Sequence, residues 1–134
     1  MTETAAVIDF NPVATDFRRA LLALRDTVKD ETWRVWVKLL KAHYAMPNHQ
    51  ITPAQLAEAT GLSAPSQATL RYGNLAHAVA DQLRFTPEKR ARGNGRPMWW
   101  KALSNGPEGD DSSPNFELTM LPALADALLA MKWV

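Results

Sequence analysis

Apolar residues recur every three or four positions over much of the chain, which is the spacing of an amphipathic helix. This pattern predicts a first helix over residues 12–28, a second over 30–44 and a last one that begins at Pro122. The stripes that these helices would bury contain Val13, Phe17, Leu21, Leu24 and Val28 in the first, Trp33, Val37, Leu40 and Tyr44 (with Trp36 beside them) in the second, and Leu121, Leu124, Leu128 and Met131 in the last.

The stretch from residue 51 to 85 predicts two further helices joined by a short turn. Thr52 can cap a helix over residues 53–60, Pro53 suits its first position, and Gly61 can end it with a positive φ. Ser66 is predicted to cap the second helix, which extends to about residue 84. Its apolar face is predicted to hold Leu70, Leu75, Val79 and Leu83. Two helices in this arrangement are typical of a helix-turn-helix.

Two extended segments are predicted near the C-terminus. Residues 98–104 and 115–120 should pair as an antiparallel hairpin, and residues 51–52 can add a short third strand. Trp99 and Trp100 are adjacent, so a strand would send their side chains to opposite faces. The connection between the strands carries Glu108, Asp110 and Asp111, which are predicted to form a solvated turn because their spacing is not that of a calcium loop.

The predicted fold class is therefore mainly α with a small β-hairpin (α+β). Residues 1–11 are predicted to be a flexible arm, and residues 12–134 a single domain. After the first helix, the order is helix, short strand, helix-turn-helix, hairpin and helix. This order resembles the winged helix-turn-helix superfamily with an extra N-terminal helix, a fold in which the hairpin touches the DNA backbone beside the recognition helix.

A narrower resemblance rests on ITPAQLAEATG, on Arg71 in the next helix, and on Pro97-Met98-Trp99-Trp100-Lys101 before Asn105-Gly106. These segments resemble the DNA-binding domain of alkyltransferase-like proteins, which flip an alkylated guanine out of the duplex. Those proteins carry a tryptophan where the repair enzymes carry a reactive cysteine. The resemblance implies that Trp99 occupies that place and that Arg71 fills the vacated base stack.

Composition narrows the classes of function. The formal net charge is only +1, so any attraction to nucleic acid must be local. The chain has no cysteine, which excludes disulfides and thiolate chemistry. His43, His49 and His77 lack the spacing of a helical metal site, and no nucleophile set or phosphate-binding loop is recognisable. We therefore predict a non-enzymatic cytoplasmic protein with no cofactor, no metal and no membrane segment.

The candidate binding residues lie in two neighbouring segments. In the second helix of the helix-turn-helix, Gln67, Thr69, Arg71 and Asn74 are polar and could read base edges. The segment that follows has six basic residues and one acid between residues 84 and 101. Its candidates for phosphate contact are Lys89, Arg90, Arg92, Arg96 and Lys101. For Trp99 and Trp100, stacking on a base, contact with a protein and burial in the core all remain open.

Two functions fit this pattern. The first is a small DNA-binding protein that places residues 66–84 in the major groove of double-stranded DNA and holds phosphates with the basic segment. The alternative is a phage or mobile-element interaction module that inhibits a host defence complex, in the manner of anti-CRISPR proteins. Such a module would bind a nucleic-acid-binding protein complex through the same charged surface. A homodimer is compatible with both functions.

Overall fold

The computed structural model describes residues 11–89, 95–107 and 111–134. Within these ranges the protein is mainly helical, with a small antiparallel sheet. The helices are α1 (Ala14–Thr27), α2 (Asp30–Ala45), α3 (Pro53–Thr60), α4 (Pro65–Gln82) and α5 (Pro122–Ala130). The strands are β1 (Gln50–Ile51), β2 (Ser104–Asn105) and β3 (Leu118–Met120), and short 3₁₀-helices span Pro47–His49 and Trp99–Ala102. Residues 1–10 of the predicted N-terminal arm lie outside the described ranges.

The ends of α3 follow from local chemistry and confirm the prediction. The Thr52 hydroxyl accepts a hydrogen bond from the Gln55 amide at 3.2 Å, and the Gln55 side chain accepts one from the Thr52 amide at 3.0 Å. This reciprocal pair satisfies two amides that have no partner inside the helix. Gly61 ends the helix at φ 73°, in the left-handed region.

The start of α4 differs from the prediction. Ala64 is the N-cap and Pro65 is the first helical residue, whereas Ser66 lies within the first turn and caps nothing. Proline favours this position because its fixed φ already matches the helix and its missing amide hydrogen is not needed there. The predicted cap at Ser66 is therefore wrong by two positions.

The three strands pair in the order β1-β3-β2, and both pairings are antiparallel. The predicted pairing of the two C-terminal strands is confirmed, but the strands are shorter than expected. Residues 99–102 form a 3₁₀-helix instead of continuing the first strand. Of the predicted strand over 98–104 only Ser104 lies in a strand, because packing of the tryptophans against α4 and Phe116 replaces the ladder that a strand would need.

The core lies between the five helices and the inner face of the sheet. In α2 the fully buried side is turned relative to the prediction, so that Trp33, Val37 and Tyr44 are only half-buried. The buried residues of α2 are Trp36, Leu39, Leu40 and His43.

In α4 the predicted core residue Leu70 is 63% exposed, so that prediction is wrong. The five-residue step from Leu70 to Leu75 rotates the helix about 140° beyond one full turn, which places Leu70 on another side. The buried side of α4 is instead formed by Ala68, Tyr72, Leu75, Ala76, Val79 and Ala80.

Candidate nucleic-acid interface

The first three turns of α4 present a polar face to solvent. Gln67, Arg71 and Asn74 are exposed, and Thr69 is half-buried. Their spacing of four and three residues keeps the first three on one side of the helix. The first acidic residue of α4 is Asp81, in its last turn. The part of the helix that carries the candidate base contacts therefore contains no carboxylate to repel phosphates.

Trp99 limits how far this face extends. Its ring stacks on His77 with the centroids 3.7 Å apart and the planes inclined by 9°. His77 follows Asn74 by three residues, so the tryptophan covers the next turn of the same helix. The Nε2 atom of His77 also lies 3.6 Å from Asp81 Oδ1. The uncovered polar face consequently ends near Asn74.

Trp100 has a different environment from its neighbour. It is 8% exposed and packs edge-to-face on Phe116, with the ring centroids 5.2 Å apart. Its Nε1–H donates a hydrogen bond of 2.8 Å to Asp111 Oδ2. Because a buried indole needs an acceptor for its N–H, the carboxylate is drawn into the fold. Asp111 is 8% exposed, so its predicted place in a solvated turn is wrong. Glu108 and Asp110 lie outside the described residues.

The basic segment is only partly available to a ligand. The Lys101 ammonium pairs with the Glu88 carboxylate and lies 5.6 Å from the centre of the Trp100 ring. Lys89 is exposed and forms an antiparallel backbone bridge with Pro97. Arg96 is also exposed. Arg90 and Arg92 lie outside the described residues.

A pocket of about 540 Å³ lies between α4, the segment around Trp99 and the chain before β3. It brings together five of the predicted site residues, namely Thr69, Asn74, Arg96, Trp99 and Trp100. The other described candidates, Gln67, Arg71, Lys89 and Lys101, do not line it. The structure therefore divides the predicted residues between the wall of a pocket and the surface outside it.

A buried chain of hydrogen bonds centred on Tyr72 escaped the sequence analysis. Tyr72 Oη lies 3.1 Å from His43 Nδ1 and 2.5 Å from Ser104 Oγ, and His43 Nε2 lies 2.9 Å from the Leu118 carbonyl oxygen. The carbonyl can only accept, so His43 donates through Nε2 and accepts through Nδ1. Tyr72 must then donate to His43, and Ser104 must donate to Tyr72. All three proton positions, on His43 Nε2, Tyr72 Oη and Ser104 Oγ, follow from one carbonyl.

Burial controls the ionisation of this chain. It lowers the pKa of His43 from 6.5 to about 4, so the imidazole is neutral at pH 7. Burial also raises the pKa of Tyr72 well above its ordinary value, so the phenol stays protonated. The three side chains come from α2, α4 and β2, so their hydrogen bonds connect two helices to the sheet. In the sequence, the sole signal was the position of His43 three and four residues after the apolar pair Leu39 and Leu40.

The described residues contain no group of three or more His, Asp or Glu side chains that could hold a metal ion. Among the same residues, no helix is long and apolar enough to cross a membrane. Comparison of the chain with protein-family models, with curated proteins and with solved structures finds no match.

Proposed function

We propose that this protein binds double-stranded DNA as a winged helix-turn-helix, with α3 and α4 as the two helices of the motif. The order of α2, β1, α3, α4, β2 and β3 supports this proposal, as does the antiparallel sheet order β1-β3-β2. In such a domain the second helix of the motif lies in the major groove and the hairpin lies beside it.

The observation that carries the proposal is the exposed polar face of the first three turns of α4. Asn and Gln side chains can pair with the edge of adenine, and Arg can pair with guanine through two hydrogen bonds. Gln67, Arg71 and Asn74 are the exposed residues of these types on that face. The Trp99–His77 stack covers the helix beyond them, so the groove would receive the N-terminal part of α4.

Phosphate contacts would come from the neighbouring cations. Lys89 and Arg96 are exposed near the end of α4 and the pocket, and their contribution would be independent of base sequence. With a net charge of only +1 over the chain, non-specific affinity should be modest and should fall as salt displaces the contacts.

The test is binding to duplexes that the wild-type protein selects from a random pool, measured at about 50 mM and about 200 mM salt. Affinity should fall steeply with salt. Arg71→Ala should weaken binding by roughly tenfold, because a bidentate base contact is worth about 1–3 kcal/mol. The matched control is Lys132→Ala, which removes one exposed positive charge after α5 and should change affinity less than twofold, about 0.4 kcal/mol. The absence of duplex binding at the lower salt would refute the proposal.

The second candidate function is that of an interaction module, which would bind a nucleic-acid-binding protein complex and inhibit it. It is favoured by the exposed stripe of Arg34, Lys38 and Lys41 on α2, which has no acidic residue after Glu31. None of these three cations forms an ion pair within the described residues. The duplex assay separates the two candidates. If the protein binds DNA through α4, Lys38→Glu should leave its affinity for the duplex unchanged. If it is an interaction module, the wild type should not bind the duplex, and it should capture a partner protein that the Lys38→Glu variant does not capture.

A further inference from the structure

We propose that the pocket beside α4 is a binding site for a free, uncharged aromatic small molecule of about two fused rings. The pocket measures about 540 Å³, within the range of roughly 300–1,000 Å³ that is usual for small-molecule sites. This inference goes beyond DNA binding and does not depend on it.

The buried part of the pocket lining presents carbon rather than unpaired polar atoms. Its aromatic residues are Tyr72, Trp100 and Phe116. The Tyr72 hydroxyl is engaged by His43 and Ser104, and the Trp100 N–H is engaged by Asp111. The remaining ring surfaces favour an aromatic or apolar ligand whose buried end carries no hydrogen-bonding group.

The less buried polar side chains of the lining can supply hydrogen bonds. Thr69 and Asn74 line the pocket, and neither side chain makes a hydrogen bond within the part of the chain that the structure describes. Among the described lining residues, the formally charged side chains are Arg96 and Asp111, whose formal charges sum to zero. An uncharged ring system with a donor or acceptor on its outer edge therefore fits better than an anion or a cation.

Gly73 is the independent observation that points to a ligand. It lies within α4, where glycine is less favourable than alanine, and its φ is not positive. Apart from its chain neighbours and the backbone of its own helix, a Cβ atom added at Gly73 would meet no atom of the described residues within 4 Å, so packing does not require glycine there. Yet Gly73 lines the pocket. The missing side chain keeps space open beside the helix at a cost in helix stability. Leu70 lines the same pocket and is 63% exposed, so it adds solvent-exposed apolar surface to the lining.

The test measures binding of indole and of 4-quinolone to the whole chain by calorimetry, without DNA. At least one probe should bind with a dissociation constant of about 1 mM or lower. Gly73→Leu places an isobutyl group in the open space and should weaken binding by at least about tenfold, a loss of 1.4 kcal/mol. The matched control is Ala59→Leu, which places the same leucine side chain at an exposed position of α3 outside the pocket lining and should leave binding unchanged.

Three results would overturn the inference. Neither probe binds the wild type, or Gly73→Leu binds as tightly as the wild type, or naphthalene-2-sulfonate binds more tightly than both probes. The last result would assign the pocket to anions. If Gly73→Leu does not fold, Gly73→Ala carries the same test with a smaller loss of affinity. Because the assay contains no DNA, its failure and the failure of duplex binding are separate results.

Discussion

Two adjacent residues of α4, Tyr72 and Gly73, both line the pocket but differ in how completely the space around them is filled. The Tyr72 hydroxyl is buried in a chain of hydrogen bonds in which each polar atom has a partner. At Gly73 the missing side chain leaves open space beside the helix. The hydrogen-bonded Tyr72 fixes the position of the helix. The open space at Gly73 can therefore serve a binding surface without loosening the fold.

The largest expected effect is the acid sensitivity of the hydrogen-bond chain around Tyr72. His43 has its pKa lowered from 6.5 to about 4, so the unfolded chain binds a proton more readily than the folded one between these values. Its contribution to stability is complete above pH 6.5 and is lost as the pH falls towards 4. The loss should amount to about 3 kcal/mol of unfolding free energy.

Urea unfolding at about pH 7 and about pH 4.5 measures most of this loss, because the lower pH is still above the folded-state pKa. His43→Gln has no titratable ring and should show a smaller change between the two conditions. An equal change in the variant and the wild type would show that groups other than His43 cause the acid sensitivity.

The next effect comes from interrupting the hydrogen-bond chain at Tyr72, its central residue. Tyr72→Phe removes the hydroxyl that joins His43 to Ser104 and leaves both buried partners without it. The free energy of unfolding should fall by about 2 kcal/mol. The control is Tyr44→Phe, because Tyr44 is half-buried and its hydroxyl makes no hydrogen bond within the described residues. Equal losses for the two variants in chemical denaturation would contradict the account of a closed chain.

The smallest effects concern two glycines, Gly73 in the pocket lining and Gly106 beside Trp100 and Phe116. Gly73→Ala should raise the free energy of unfolding by about 0.5–1 kcal/mol, because alanine favours the helix and its methyl group meets nothing. Gly106→Ala should lower it by about 1 kcal/mol or more. Its Cβ would lie 2.8 Å from a Phe116 ring carbon and 2.9 Å from one in Trp100. Thermal unfolding of both variants is the measurement, and a loss of stability in Gly73→Ala would show that the open space is needed by the fold.

Sequence alone located the elements whose ends depend on neighbouring residues. The bounds of α3 follow from Thr52, Pro53 and Gly61, since a cap, an N-terminal proline and a left-handed glycine act within one helical turn. The helical spacing of Phe17, Leu21 and Leu24 identified α1, and these residues are buried as predicted, whereas Val13 of the same predicted stripe is 57% exposed. The mainly helical class and the antiparallel pairing of the C-terminal strands could also be predicted.

Tertiary structure decided which side of each element is buried and which polar atoms meet. Residues 99–102 left the predicted strand because two tryptophans pack against partners distant in sequence, His77 and Phe116. Asp111 entered the fold because a buried indole N–H needs an acceptor. No local pattern encodes these contacts, since they depend on how α4 sits against the sheet. The same packing buries the Tyr72 hydroxyl among hydrogen-bond partners and leaves open space at the adjacent Gly73.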